Sequence, residues 1–156
     1  MWSSFTSTRV GYATLDPATR ERIEGLRAVH HFAHSRARLE PGRLAQDESD
    51  FLPPVIHPLL RHHSRTGARA LFVGSHVREV IDLDREEGVA LAEALVEHVT
   101  RPDVVHVHRW HPHDLVIWDN SAVLHRGRPW ERSEPRHMVR ATVADDAYTA
   151  GTLAAA

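Results

Sequence analysis

The sequence predicts an α+β domain that is mainly β and of jelly-roll type. Short runs with strand character recur at regular spacing, at 27–34, 53–63, 70–73, 80–83, 104–110, 115–118 and 136–140. Only two stretches read as well-formed helices, one starting at Asp16-Pro17 and one over 84–100. Between the runs stand turn formers such as Arg65-Thr66-Gly67 and His111-Pro112-His113-Asp114. Many short strands punctuated by turns, with few helices, are the pattern of an antiparallel barrel or double-sheet fold.

Each element has a local reason. Residues 1–14 are rich in serine and threonine and open without a helix cap or the charged-then-apolar order of a signal peptide. Asp16 before Pro17 is an N-cap ahead of a proline at the first helical position. That helix is expected to run to about Gly25, with Ile23 and Leu26 facing inward. Residues 27–34 read as a strand whose adjacent His30 and His31 point to opposite faces. Residues 35–51 are polar and weakly patterned, which predicts a loop or lid containing a short helix. The prolines of 53–63 cannot donate to a ladder, so this extended segment belongs on a sheet edge. Residues 70–73 return from the turn at Gly67, and 80–83 form another short strand. Over 84–100 an acidic first turn precedes Val89, Leu91, Ala92, Leu95, Val96 and Val99 at near-helical spacing. Residues 104–110 and 115–118 are expected to form a hairpin around His111-Pro112-His113-Asp114. Residues 1–145 read as one unit, and 146–156 as an Ala-rich flexible tail.

Composition narrows the function classes. A chain of 156 residues is one domain with room for a real core. A formal net charge of −2 argues against a dedicated nucleic-acid binder. The absence of cysteine excludes disulfides, thiolate metal sites and cysteine nucleophiles. No apolar run reaches the length of a membrane span, and a cytoplasmic protein is the expectation. There is no P-loop, dinucleotide fingerprint or Gly-x-Ser-x-Gly elbow. All 19 basic residues are arginine, which codon bias explains. A metal site uses two or three histidines, so most of the 14 present must have surface or supporting roles. His30, His31, His62, His63 and His98 are assigned such roles.

The chemistry concentrates between Trp118 and Arg140. The apolar run 115–118 delivers the chain into an Asp119-Asn120 turn, and His125 follows. Arg136 comes eleven residues later, and Arg140 four residues after that. On a strand Arg136, Met138 and Arg140 share one face, while His137, Val139 and Ala141 share the other. A planar guanidinium meets a carboxylate with two parallel charge-assisted bonds. Two of them beside an imidazole suit a small dianion held next to a metal. The plain alternatives are a structural histidine and a weak surface ion pair of Arg136 with Glu131 or Glu134. Asp119 and Asn120 are turn formers and supports rather than catalysts.

This segment resembles the C-terminal signature of the iron(II)/2-oxoglutarate-dependent dioxygenases of the taurine dioxygenase and 2,4-dichlorophenoxyacetate dioxygenase family. The matching residues are Trp118-Asp119-Asn120, His125, then Arg136 and Arg140 ahead of Ala141-Thr142. Upstream the likeness continues in Leu26-Arg27-Ala28 with His30, His57-Pro58, Gly67 followed by Leu71-Phe72, and Arg109-Trp110 with Pro112 and Asp114. It covers most of residues 1–143 in the right order and is nearer the 2,4-dichlorophenoxyacetate branch.

The resemblance implies a double-stranded β-helix, cupin-like, with helices packed outside. Residues 1–145 would be its C-terminal portion, lacking the N-terminal strands. It implies an oxidoreductase that hydroxylates a small carboxylate or sulfonate with O2 and 2-oxoglutarate, releasing succinate and CO2. Iron(II) and 2-oxoglutarate are the implied cofactors. No nucleic acid or membrane is implied as a partner, and self-association is left open. By the match, His125 is the distal histidine of a triad of two histidines and one carboxylate. Arg136 corresponds to the clamp on the distal carboxylate of 2-oxoglutarate. Arg140, about 13 Å further along an ideal strand, corresponds to the position facing the metal-side carboxylate or an acidic group of the substrate. Trp118, Asp119 and Asn120 support these residues. Where relatives often carry arginine after the asparagine, this chain has Ser121.

One part of the pattern is missing. The family's other two ligands come from a His-x-Asp or His-x-Glu motif, upstream of the region resembling Met1-Trp2-Ser3-Ser4. None of the 14 histidines has a carboxylate two residues later. The chain is therefore expected to begin just after its metal-binding strand, with one ligand of three. Two rival readings follow. One is a non-catalytic or partner-dependent half-barrel that binds no metal alone. The other is a cupin-like metal enzyme using His106, His108 and His125, since His106 and His108 share a strand face.

Overall fold

A computed structural model describes residues 1–39, 52–63, 66–131, 133 and 136–143. In chain order the elements are β1 (Trp2–Ser7), α1 (Thr8–Ala13), α2 (Pro17–Ile23), β2 (Arg27–His30), α3 (Phe32–Leu39), β3 (Val55–Pro58), β4 (Leu60–His62), β5 (Arg69–Leu71), β6 (Val77–Val80), α4 (Arg85–Val99), a 3-10 turn (Pro102–Val104), β7 (Val105–Arg109) and β8 (Val123–Gly127). Among the described residues the strands form antiparallel sheets in the orders β7-β1-β8, β3-β2-β6 and β4-β5.

The longest helix organises the core. Asp84 starts α4 by accepting a hydrogen bond from the Glu87 N–H at 2.9 Å, which satisfies one donor the helix end leaves open. The apolar spacing then places Leu91, Ala92, Leu95 and Val99 on one buried stripe. That stripe belongs to a core that includes Ile23, Leu59, Leu71, Val73, Val77 and Val80. Gly88 permits the close approach to β6, because a Cβ there would lie 3.2 Å from the Val80 backbone N. Thr6 of β1 ties the strand to the other end of α4, its buried hydroxyl donating to the Val99 carbonyl at 2.6 Å.

β1 lies in the middle of its sheet, and its register positions the candidate site. Phe5 stands opposite His106 of β7 and opposite His125 of β8. Directly opposed residues project from the same face of a sheet. Ser4 and Thr6 point to the buried side, so Phe5, His106 and His125 occupy the other face.

Several sequence expectations need correction. Residues 115–118 form no ladder among the described residues, so β7 pairs with β1 instead of a hairpin partner. The turn itself exists: the Asp114 N–H donates to the His111 carbonyl at 3.2 Å, and His113 has φ of 71°. Residues 136–140 also carry no ladder. Period-2 alternation selects a face but cannot supply a neighbouring strand. β2 stops at His30, and α3 begins at Phe32, inside the strand expected over 27–34, before running into the stretch where a short helix was expected. The strand expected at 80–83 is β6, ending at Val80, after which Asp82 adopts φ of 70°. β1 and α1 were not anticipated within 1–14. Residues 40–51, the bulk of the expected lid, and the tail 146–156 lie outside the described residues.

A second histidine group sits between β2 and β3. The His30 ring is 5.5 Å from that of His57 and 5.0 Å from that of Phe72. The Arg61 guanidinium lies 3.5 Å over the Phe72 ring and donates to His57 Nδ1 at 2.8 Å. His30 Nε2 is buried without a hydrogen-bond partner among the described residues. Burial first, then the charges of His57, His76 and Arg61, lower the His30 pKa to about 4. The unfolded chain takes up this proton near pH 6.5, the native chain only near 4. Stability is therefore unaffected by this group above pH 6.5 and falls as pH drops from 6.5 towards 4. His30→Leu should reduce the loss of stability between pH 7 and pH 4.5 by roughly 1–2 kcal/mol. Urea unfolding at the two pH values measures this, and an unchanged difference would contradict it.

Candidate functional site

β8 is delivered by a hydrogen-bonded turn. Asp119 Oδ1 accepts from the Ser121 N–H at 2.8 Å and from the Ser121 hydroxyl at 2.6 Å, an Asx-type turn. Ser121, noted above as a departure from relatives, closes this turn. The Trp118 indole N–H donates to Asn120 Oδ1 at 2.7 Å. The Ala122 carbonyl then accepts from the Thr8 N–H at 2.9 Å, joining the turn to α1. On the far side, His63 Nε2 lies 3.4 Å from Asp119 Oδ2. Burial raises the Asp119 pKa, but the Ser121 hydrogen bonds, then His63 and Arg9, outweigh it and hold the carboxyl below its usual range.

His125 therefore emerges among aromatic rings. Its imidazole is 4.9 Å from the Trp118 ring and 6.4 Å from the Phe5 ring, and those two rings are 5.4 Å apart. The residue as a whole remains exposed. Partial burial of the ring, then the positive charge of Arg140, lowers the His125 pKa. An imidazole kept neutral has a lone pair available for a metal.

The arginines divide. Arg140 is close enough to act on His125. Arg136 lies instead 4.3 Å over the Trp130 ring, with Nε directed at Met138 Sδ at 3.3 Å. Arg136 and Met138 thus meet, as the alternation expected, although no ladder holds them. Arg136 makes no ion pair with Glu131 among the described residues, and Glu134 lies outside them.

The residues present do not by themselves fit an iron centre. Among the described residues no group of three or more His, Asp or Glu could hold a metal ion. The cupin-like site at His106, His108 and His125 is not assembled, which corrects that alternative. His106 and His125 share a face but stand on opposite neighbours of β1, roughly 10 Å apart by strand spacing, with Phe5 between them. His108 Nε2 is engaged by Asp114 Oδ2 at 3.1 Å. Sequence reasoning did not find that contact, although two residues flanking a turn gave a spacing signal for it. No local signal pointed to His63 and Asp119.

With this geometry in hand, the comparisons with known proteins are specific. Residues 3–142 match the model of the family described as "Taurine catabolism dioxygenase TauD, TfdA family". The chain belongs to this family. The alpha-ketoglutarate-dependent 2,4-dichlorophenoxyacetate dioxygenase of Cupriavidus pinatubonensis is 40% identical over 145 residues, covering 93% of this chain and 50% of that protein. The alpha-ketoglutarate-dependent sulfate ester dioxygenase of Pseudomonas putida is 30% identical, covering 91% of this chain and 50% of the relative. A crystal structure of AAD-2 in complex with Mn(II) and N-oxalylglycine superposes with a TM-score of 0.81 at 34% identity, covering 87% of this chain and 54% of the other. The chain spans about half the length of the relatives it matches. No helix among the described residues is long and apolar enough to cross a membrane.

Arg140→Ala should raise the pKa of His125, while leaving it below the ordinary histidine range because burial is the larger cause. An NMR titration of the imidazole measures this. An unmoved midpoint would place Arg140 away from the histidine.

Proposed function

We propose that this chain is the C-terminal portion of an iron(II)- and 2-oxoglutarate-dependent dioxygenase that hydroxylates a small acidic substrate. The observation that carries the reading is His125 in the middle of β8 with the Trp118 ring 4.9 Å away and the Arg140 charge acting on it, in a chain of this family. His125 is one metal ligand, and the other two come from outside the described residues. Arg136 clamps the distal carboxylate of 2-oxoglutarate by two parallel hydrogen bonds. Arg140 faces the metal-side carboxylate or the acid group of the substrate. Trp118, Asp119 and Asn120 hold the wall in place. An aryloxy-carboxylate or a sulfate ester is the substrate class in view, since relatives named for such compounds match along most of the chain.

The architecture we propose is the C-terminal part of a double-stranded β-helix whose N-terminal strands lie outside this sequence. The bare apolar surface supports this. Leu115, Ile117, Val139 and Val143 are 83%, 85%, 85% and 92% exposed, in two segments that carry no ladder among the described residues. Apolar side chains at alternate positions of an extended segment are usually covered. The same exposure and the single imidazole also favour a second reading, a non-catalytic half-barrel that depends on a partner.

Cobalt(II) titration of the chain alone should show no stoichiometric binding. Joined to a first half bearing a His-x-Asp strand, it should bind one equivalent and lose this with His125→Ala. In that joined protein, Arg136→Ala should raise the 2-oxoglutarate requirement roughly ten- to hundredfold, as expected for losing charge-assisted bonds. An unchanged requirement would refute the clamp, and no binding at all would favour the half-barrel reading.

A further inference from the structure

We propose that His63 and His108 are positioning residues that grip the two ends of residues 114–119 and so set Trp118 against His125. This segment carries the ring that covers the candidate metal histidine, yet no sheet ladder fixes it among the described residues. Leu115 and Ile117 within it project outward, so core packing of these two residues does not fix it either.

The first end is held from β7. Asp114 Oδ2 accepts from His108 Nε2 at 3.1 Å and from the His111 N–H at 2.9 Å. The His108 ring is braced edge-on by Trp110 at 4.7 Å, whose indole N–H donates to the Ser3 hydroxyl of β1 at 2.9 Å. The second end is held from the residue after β4. His63 Nδ1 accepts from the Thr66 N–H at 3.3 Å. In the neutral ring the proton therefore sits on Nε2, the atom 3.4 Å from Asp119 Oδ2. A carboxylate can only accept, so the Asp114 hydrogen bond runs from the His108 imidazole, and at Asp119 the nitrogen facing the carboxylate at ion-pair distance is the one that carries the proton. Between them Trp118 lies against His125 and Phe5.

The clamps act through geometry more than through stability. All four side chains retain solvent contact, and pairs of that kind contribute little to the global free energy. Losing one should free the segment without unfolding the domain. The consequence for catalysis rests on the reading of His125 as a metal ligand, but the clamps themselves do not.

The test uses the whole chain labelled with 15N, whose four indole N–H signals report on Trp2, Trp110, Trp118 and Trp130, with Trp118→Phe giving the assignment. His63→Leu and His108→Leu should each shift the Trp118 indole signal and the His125 amide signal, leave the Trp2 indole in place, and lower the melting midpoint by about 4 °C or less. His63→Gln, which keeps a donor towards Asp119, should restore the wild-type positions. Asp119→Asn keeps the acceptor for Ser121 while removing the charge, and it should shift the same signals even if a leucine variant does not fold. Trp118 and His125 signals that stay fixed in these folded variants would overturn the proposal. Metal binding is not read here, so a failure of the dioxygenase reading leaves the outcome intact.

Discussion

The two ladders of β1 determine where the candidate side chains stand. Phe5 sits between His106 and His125 because β7 and β8 pair with the same strand in a fixed register. A slip of one residue would turn His125 to the side where Ser4 and Thr6 are buried. The hydrogen bond from the Thr6 hydroxyl to the last turn of α4 opposes such a slip. The chain thus couples its longest helix to the wall that carries the imidazole. The same register places an aromatic ring between His106 and His125, so the histidine-rich face does not become a three-imidazole metal site.

The legible parts of the sequence were those where one local cause dominates. α4 combines an acidic cap with a continuous apolar stripe, and the structure keeps both. Asp16 and Pro17 likewise start α2 as expected, and Ile23 is fully buried. β1 was not legible, because its two aromatic residues, Trp2 and Phe5, stand three apart among serines and threonines, which gives no period-2 alternation and which polarity alone reads as a loop. Residues 115–118 mislead in the opposite direction: they are a continuous apolar run but pair with no strand among the described residues. Around the site, the Trp118-Asp119-Asn120 turn and His125 could be read as a motif. The clamps at His63 and His108 could not, because one joins residues far apart in the chain and the other follows from how a turn folds back.

On the proposed reading, the wall supplies the cationic side of the site. Arg140 acts on His125 and disfavours its protonated form, and Arg136 adds a second guanidinium close by in sequence. Among the described residues no carboxylate joins them in a metal-binding group. Such a wall is hospitable to an anion, which would offset the positive charge and meet the guanidiniums in their preferred planar geometry. It is also too open to exclude water, since His125, Arg136 and Arg140 are all exposed. Leu115, Ile117, Val139 and Val143 are exposed as well, and on the proposed reading a covering layer would bury them.

The most direct test of this account is paramagnetic relaxation by manganese(II) in a protein joining this chain to a first half with a His-x-Asp strand, recorded with 2-oxoglutarate present. The account predicts that broadening centres on His125, Phe5, Trp118 and Arg140, and spares the buried face of α4 around Leu95. Broadening centred elsewhere, for example on His30 and His57, would contradict it.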